Sequence, residues 1–233
     1  MCVFEGILPC FVQFMLGLTA HSLQESQEFD ILEAFVKTQQ KGEFYMKVLL
    51  LNGSPRKEGC TYTALCEVAK ALESAGVETE IFQAGDPSRE NVRAAAEKVK
   101  EADGLVVGSP VYWASPSGQI IEFLDLLSGM AGKDLLHKPA AAVASARRAG
   151  TTATLDVLLK YFSFHQMPIV SSCYWNMVHG NTPDEVRRDE EGMQIMRVLG
   201  KNMAWLLQSI EAGKKAGVTL PQAEEKIRTN FIR

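Results

Sequence analysis

From residue 46 onward, apolar positions follow two alternating patterns. Short unbroken apolar runs, closed by glycine, proline or a small polar residue, are the mark of strands buried on both faces. Between them lie longer stretches with apolar residues three and four apart, the mark of amphipathic helices. KVLLLN (47–52), GLVVGSP (104–110), PAAAVASA (139–146) and MPIVSSC (167–173) are strands of the first kind. VETEIF (77–82) alternates more strictly, as a strand nearer a sheet edge does. Helices are predicted over 61–74, 88–102, 117–128 and 151–164. A further helix starts at Thr182-Pro183-Asp184-Glu185, with Thr182 capping, Pro183 first and Glu185 reaching back. Met193, Met196, Leu199, Met203, Leu206 and Ile210 follow at helical spacing, and methionine so placed is core filler.

Five strands alternating with five helices predict a single α/β domain, a parallel sheet covered on both faces. Ligands of such sheets sit beyond the carboxyl ends of the strands, where strand order reverses. Three loops leave those ends: 53–61, 110–117 and 146–152.

Composition narrows the class. At 46% hydrophobic, the 233 residues have material for a core, and intrinsic disorder is excluded. Residues 1–45 hold two basic side chains (Lys37, Lys41) and six acidic ones (Glu5, Glu25, Glu28, Asp30, Glu33, Glu43), which is the whole net charge of −4. The rest is neutral, with no electrostatic pull toward nucleic acid or an anionic membrane. MCVFEGILPCFVQFMLGLTA lacks the basic start of a secretory signal, and Glu5, Pro9 and Gln13 interrupt it as a membrane span. The working domain is expected to begin near Met46 and run to residue 233, with residues 1–45 an extension or the product of an upstream start. Cys2, Cys10, Cys60, Cys66 and Cys173 are odd in number and contain no C-x-x-C, so neither a disulfide framework nor a metal ligand set is expected, and the cytoplasm is the natural compartment.

The first loop, GSPRKEGCT (53–61), joins a strand to a helix and combines hydroxyls at Ser54 and Thr61 with cations at Arg56 and Lys57. Helix-start N–H groups beside such side chains cradle phosphate. The Walker spacing and the G-x-G-x-x-G fingerprint are both absent, as is an arginine a few residues after Cys60 that a cysteine phosphatase would need. A terminal monophosphate remains, against the alternative of an ordinary strand–helix turn. The second loop, SPVYWASPSG (109–118), sets two adjacent aromatics at a strand end, suited to a flat ligand or another subunit, and Ser115 or Ser117 can cap the next helix. The third, ARRAGTT (146–152), offers two cations, a glycine and two hydroxyls at a helix start.

Taken together, KVLLLNGSPRKEGCT, GSPVYWASPSGQIIEFLD and SARRAGTTAT resemble the flavodoxin-like NAD(P)H-dependent FMN reductase family, which includes iron–sulfur flavoproteins, over residues 46 to about 210. The resemblance implies a flavodoxin-like doubly wound five-stranded parallel sheet in the order 2-1-3-4-5. It implies that Ser54, Arg56, Cys60 and Thr61 bind the FMN phosphate. Pro110, Val111, Tyr112 and Trp113 would lie against the isoalloxazine, and Arg147, Gly150, Thr151 and Thr152 at its pyrimidine end. No two cysteines lie closer than Cys60 and Cys66, so no iron–sulfur cluster is expected. The resemblance further implies a homodimer or homotetramer.

Flavin carries such chemistry and the protein binds, orients and tunes it. The leading expectation is therefore a reductase passing two electrons from NADPH or NADH through FMN to a quinone, a flavin or a similar small acceptor, with no catalytic acid–base residue. The alternative is a non-enzymatic, flavodoxin-type electron carrier. The neutral domain favours the reductase, because carriers rely on acidic surroundings. A guanidinium at Arg147 or Arg148 stabilises the negative charge of reduced FMN by roughly 1–4 kcal/mol at ~4 Å. Arg147→Ala is accordingly expected to lower the midpoint potential of bound FMN without releasing it; a spectroelectrochemical titration giving an unchanged potential would remove Arg147 from the ring end.

Overall fold

The computed structural model describes residues 46–222, 224, 225 and 227–231. The expectations for residues 1–45 lie outside them. Chain order runs β1 (Lys47–Asn52), α1 (Cys60–Glu73), β2 (Glu78–Gln83), α2 (Arg89–Glu101), β3 (Gly104–Tyr112), β4 (Ser115–Pro116), α3 (Gly118–Leu135), β5 (Ala140–Ala146), α4 (Thr151–Phe164), β6 (Met177–His179), α5 (Pro183–Arg188) and α6 (Glu190–Lys215). The parallel strands are ordered β2-β1-β3-β5-β6, and β4 pairs antiparallel with β3 outside that path. With the β4 hairpin set aside, this is the expected order, reversing between β1 and β3.

The unbroken apolar runs have a direct explanation. Leu49, Leu51, Leu105 and Val107 point into a core closed by α2, α3 and α4. Their alternate neighbours Val48, Leu50 and Val106 point into a second core closed by α1 and α6. A strand between two cores has no polar face to show, since successive side chains leave on opposite sides. The α6 methionines Met193, Met196 and Met203 are buried in the second core, as filler should be. Thr182 caps α5 by accepting from the Glu185 N–H at 3.2 Å, and the Glu185 carboxylate accepts from the Asn181 N–H at 2.6 Å.

The last strand differs from the expected 167–173. Ile169 forms a single bridge to Ala140, and the Val170 N–H donates to the Ala140 carbonyl at 2.8 Å. The chain then leaves the sheet and returns at Met177–His179 beside Ala144–Ala146. The Ser172 hydroxyl contacts the Tyr174 carbonyl and the Asn176 side-chain oxygen, both at 2.7 Å, and the Asn202 amide donates to the Ser171 carbonyl at 2.8 Å. Local side-chain bonds of this kind compete with a ladder. Here Ser171, Cys173, Tyr174 and Trp175 are exposed, so no burial opposes them.

His165, at the C-terminus of α4, is buried against α3, 3.0 Å from the Ser128 hydroxyl. Burial holds its imidazole below the usual histidine value, against a backbone hydrogen bond with Gly132 that pulls the other way. The unfolded chain takes up that proton near pH 6.5 whereas the folded chain resists it, so this contribution destabilises the fold as pH falls through 6.5 and vanishes above it. His165→Gln is expected to flatten the corresponding part of the Tm profile between pH 8 and pH 5; an unchanged slope would assign the loss to other groups.

Candidate functional site

Four loops meet at the carboxyl edge of the sheet, where three were expected. The first begins at Asn52, which is fully buried at the end of β1. Its amide nitrogen donates to the Arg56 carbonyl (3.3 Å), the Lys57 carbonyl (3.0 Å) and the Gln83 side-chain oxygen (2.8 Å), and its oxygen accepts from the Ser54 N–H (3.2 Å). Ser54 is buried and its Oγ accepts from the Arg56 N–H at 3.1 Å. Arg56 and Lys57 are exposed. Thr61 is buried, its hydroxyl 2.7 Å from that of Ser145 on β5, so the hydroxyl is engaged beneath the loop. Cys60 is half-buried, and its Sγ donates to the Gly180 carbonyl at 3.7 Å. Burial pushes its thiol pKa up, against the pull of the Arg56 guanidinium, so the neutral form that adds no negative charge is favoured.

The second loop is a two-residue hairpin. Val111 pairs with Pro116 and Tyr112 with Ser115, leaving Trp113 (φ 53°) and Ala114 (φ 57°) as its turn, both left-handed. Such a turn suits the twist of the strands but costs side-chain-bearing residues about 1–2 kcal/mol each. Trp113 is fully exposed and Tyr112 is 41% exposed, while Pro110 and Val111 are half-buried. Ser117, not Ser115, caps α3; its hydroxyl accepts from the Ile120 N–H at 3.3 Å and donates to the Gly53 carbonyl at 2.9 Å, tying the second loop to the first.

In the third loop Arg147 and Arg148 are exposed and in no ion pair among the described residues. Gly150 has φ 96°, and a Cβ there would meet Ala114 Cα at 2.6 Å and Val111 Cγ1 at 2.8 Å. Only glycine allows both this conformation and this approach to the hairpin. The Thr151 hydroxyl is buried against Met177 Sδ at 3.2 Å, while Thr152 is exposed. The fourth loop, after β6, was not among the three expected. It carries His179, whose ring Nε2 lies 3.1 Å from the Arg148 carbonyl.

Helix caps divide sharply. Ser88, Ser117, Thr182 and Asp189 cap α2, α3, α5 and α6 through their side chains. The helices that follow the first and third loops, α1 and α4, start at Gly59 and Gly150 with no side-chain cap and no acidic residue in the first turn. Their first N–H groups and dipoles are thereby left for a ligand.

The family model described as NADPH-dependent FMN reductase matches residues 46–182. The chain belongs to this family. It is thus a flavin oxidoreductase that uses FMN with NADPH as donor. It is 30% identical over 192 residues to an iron–sulfur flavoprotein of Methanocaldococcus jannaschii, covering 71% of this chain and 100% of that protein. It is 32% identical over 125 residues to an FMN reductase (NADPH) of Pseudomonas putida, covering 49% of this chain and 62% of that one. Its fold matches the flavoenzyme NAD(P)H:acceptor oxidoreductase of Paracoccus denitrificans with TM-score 0.58 at 17% identity, covering 70% and 98% of the two chains. The same edge carries two uncapped helix starts, a hairpin bearing Tyr112 and Trp113, and two arginines that form no ion pair among the described residues. No described helix is long and apolar enough to cross a membrane.

Ala114→Gly is expected to stabilise the fold by about 0.5–1 kcal/mol, because glycine relieves the left-handed cost at a smaller entropic one. Urea unfolding is the check, and a loss of stability would mean that the Ala114 methyl does more in packing than its backbone costs.

Proposed function

We propose that this chain passes two electrons from a reduced nicotinamide to a small oxidised acceptor, a quinone, a flavin or a similar molecule, through FMN held at the carboxyl edge. The single observation that carries the reading is the pair of glycine-started, uncapped helices α1 and α4 on the edge that also bears Arg147 and Arg148. When bound, FMN supplies the hydride chemistry itself. The protein's part is to hold and tune it.

In this reading the phosphate is held by the first turn of α1, with the Ser54 hydroxyl, the Arg56 guanidinium and the backbone N–H groups of Cys60 and Thr61. The Thr61 side chain acts indirectly, by fixing α1 to β5 through Ser145. Pro110, Val111, Tyr112 and Trp113 form the wall for the ring. Arg147, Gly150, Thr151 and Thr152 line its pyrimidine end, where positive charge favours the reduced form. The residues need not move a proton to a substrate carbon, so no acid–base pair is assigned. The working domain in this reading is 46–233, supported by the family match opening at Met46.

Anaerobic addition of NADPH to FMN-loaded protein tests the reading. Bleaching of the visible flavin bands is expected, followed by their return when a quinone is added. Bands that persist under excess NADPH would favour a carrier served by another donor. Failure to take up FMN would overturn the assignment of the edge.

A further inference from the structure

The geometry points to His179 as a positioning residue that holds the arginine loop in place at the ring end of FMN, an inference that rests on the reading just proposed. Residues 147–149 follow β5 as exposed backbone, and the helix they lead into is uncapped. Among the described residues, one side chain bonds to the backbone of this stretch: His179, whose Nε2 lies 3.1 Å from the Arg148 carbonyl. A carbonyl can only accept, so the ring presents its Nε2–H there.

The anchor is itself firmly held. The His179 N–H donates to Asp189 Oδ2 at 2.6 Å, and the ring Nδ1 stands 4.0 Å from the same oxygen. The other oxygen of Asp189 accepts from the Gly192 N–H at 3.0 Å and so caps α6, a helix of 26 residues. The next carbonyl along the chain, that of Gly180, accepts from the Cys60 thiol of the first loop. Residues 179 and 180 therefore couple the phosphate end and the ring end of the edge to one long helix. With the His179 contact gone, Arg148 loses its backbone tether and the two guanidiniums spread over more positions, so less positive charge stays beside the reduced ring.

The test compares His179→Leu, which removes the donor, with His179→Gln, which keeps a side-chain N–H of similar reach. In the protein without FMN, exchange of the Thr154 amide, which donates to the Gly150 carbonyl at 3.1 Å, is expected to rise about tenfold in the Leu variant and to stay near wild type in the Gln variant. With FMN bound, the Leu variant is expected to stabilise the reduced form about tenfold less, a fall of about 30 mV in the two-electron potential, and the Gln variant to recover it. A Leu variant matching wild type in both exchange and potential would overturn the positioning role alone. Equal losses in both variants would also overturn it, since the donated bond would not be what holds the loop. Failure of the wild-type chain to load FMN would overturn the functional reading, and this inference with it.

Discussion

A single buried amide governs the working edge of this protein. Asn52 ends the apolar run of β1 at a point where the chain must leave the sheet and curl back over it. A loop that turns so tightly leaves carbonyls pointing inward, away from water, and each unpaired one is costly. Asn52 resolves this by gathering the Arg56 and Lys57 carbonyls and the Gln83 side chain around one nitrogen while its oxygen receives the Ser54 N–H. Inside the protein a fully satisfied cluster of this kind is stiff. The first loop owes its shape to it, as does the placement of the start of α1.

From that fixed point the remaining loops are located in turn. Ser117 ties the second loop to the Gly53 carbonyl, Gly150 lets the third loop press against the hairpin, and Thr61 pins α1 to β5 through Ser145. The side-chain caps complete the division of labour. The helices α2, α3, α5 and α6 satisfy their own N-termini through side chains, and α1 and α4, which follow the first and third loops, do not.

The layered fold was legible because burial on both faces leaves so plain a mark: KVLLLN and GLVVG have no polar alternation to misread. The three loops were legible for a related reason, since glycine, hydroxyl and cation together at a strand end have few structural excuses. The division of the last strand was not legible. MPIVSSC has the composition of a strand, and only the bonds of Ser172 to Tyr174 and Asn176, together with the Asn202 contact, explain why it leaves the sheet. Asn52 could have been noticed as a polar residue ending an otherwise apolar run. The bonds of His179 could not, because its partners, the Arg148 carbonyl and Asp189, come from another strand end and from a helix start. Thr61 illustrates a different limit: spacing identifies a hydroxyl near the loop but not the direction in which it bonds.

The excursion between Val170 and Met177 also bears on how the molecule behaves in a crowd. A sheet's outermost strand is a template on which a foreign strand can crystallise, and long, flat, unbroken borders are the dangerous ones. Among the described residues, the border on this side offers only a single bridge at Ile169 and three residues at Met177–His179, separated by a projecting turn. On the opposite side β2 carries Glu78 and Glu80, with Lys47 and Lys98 paired to them, a row of charge that an incoming strand would have to strip of water. Both borders are thus guarded by different means, one by interruption and one by hydration, and a chain with so apolar a sheet is protected against aggregation through its edges.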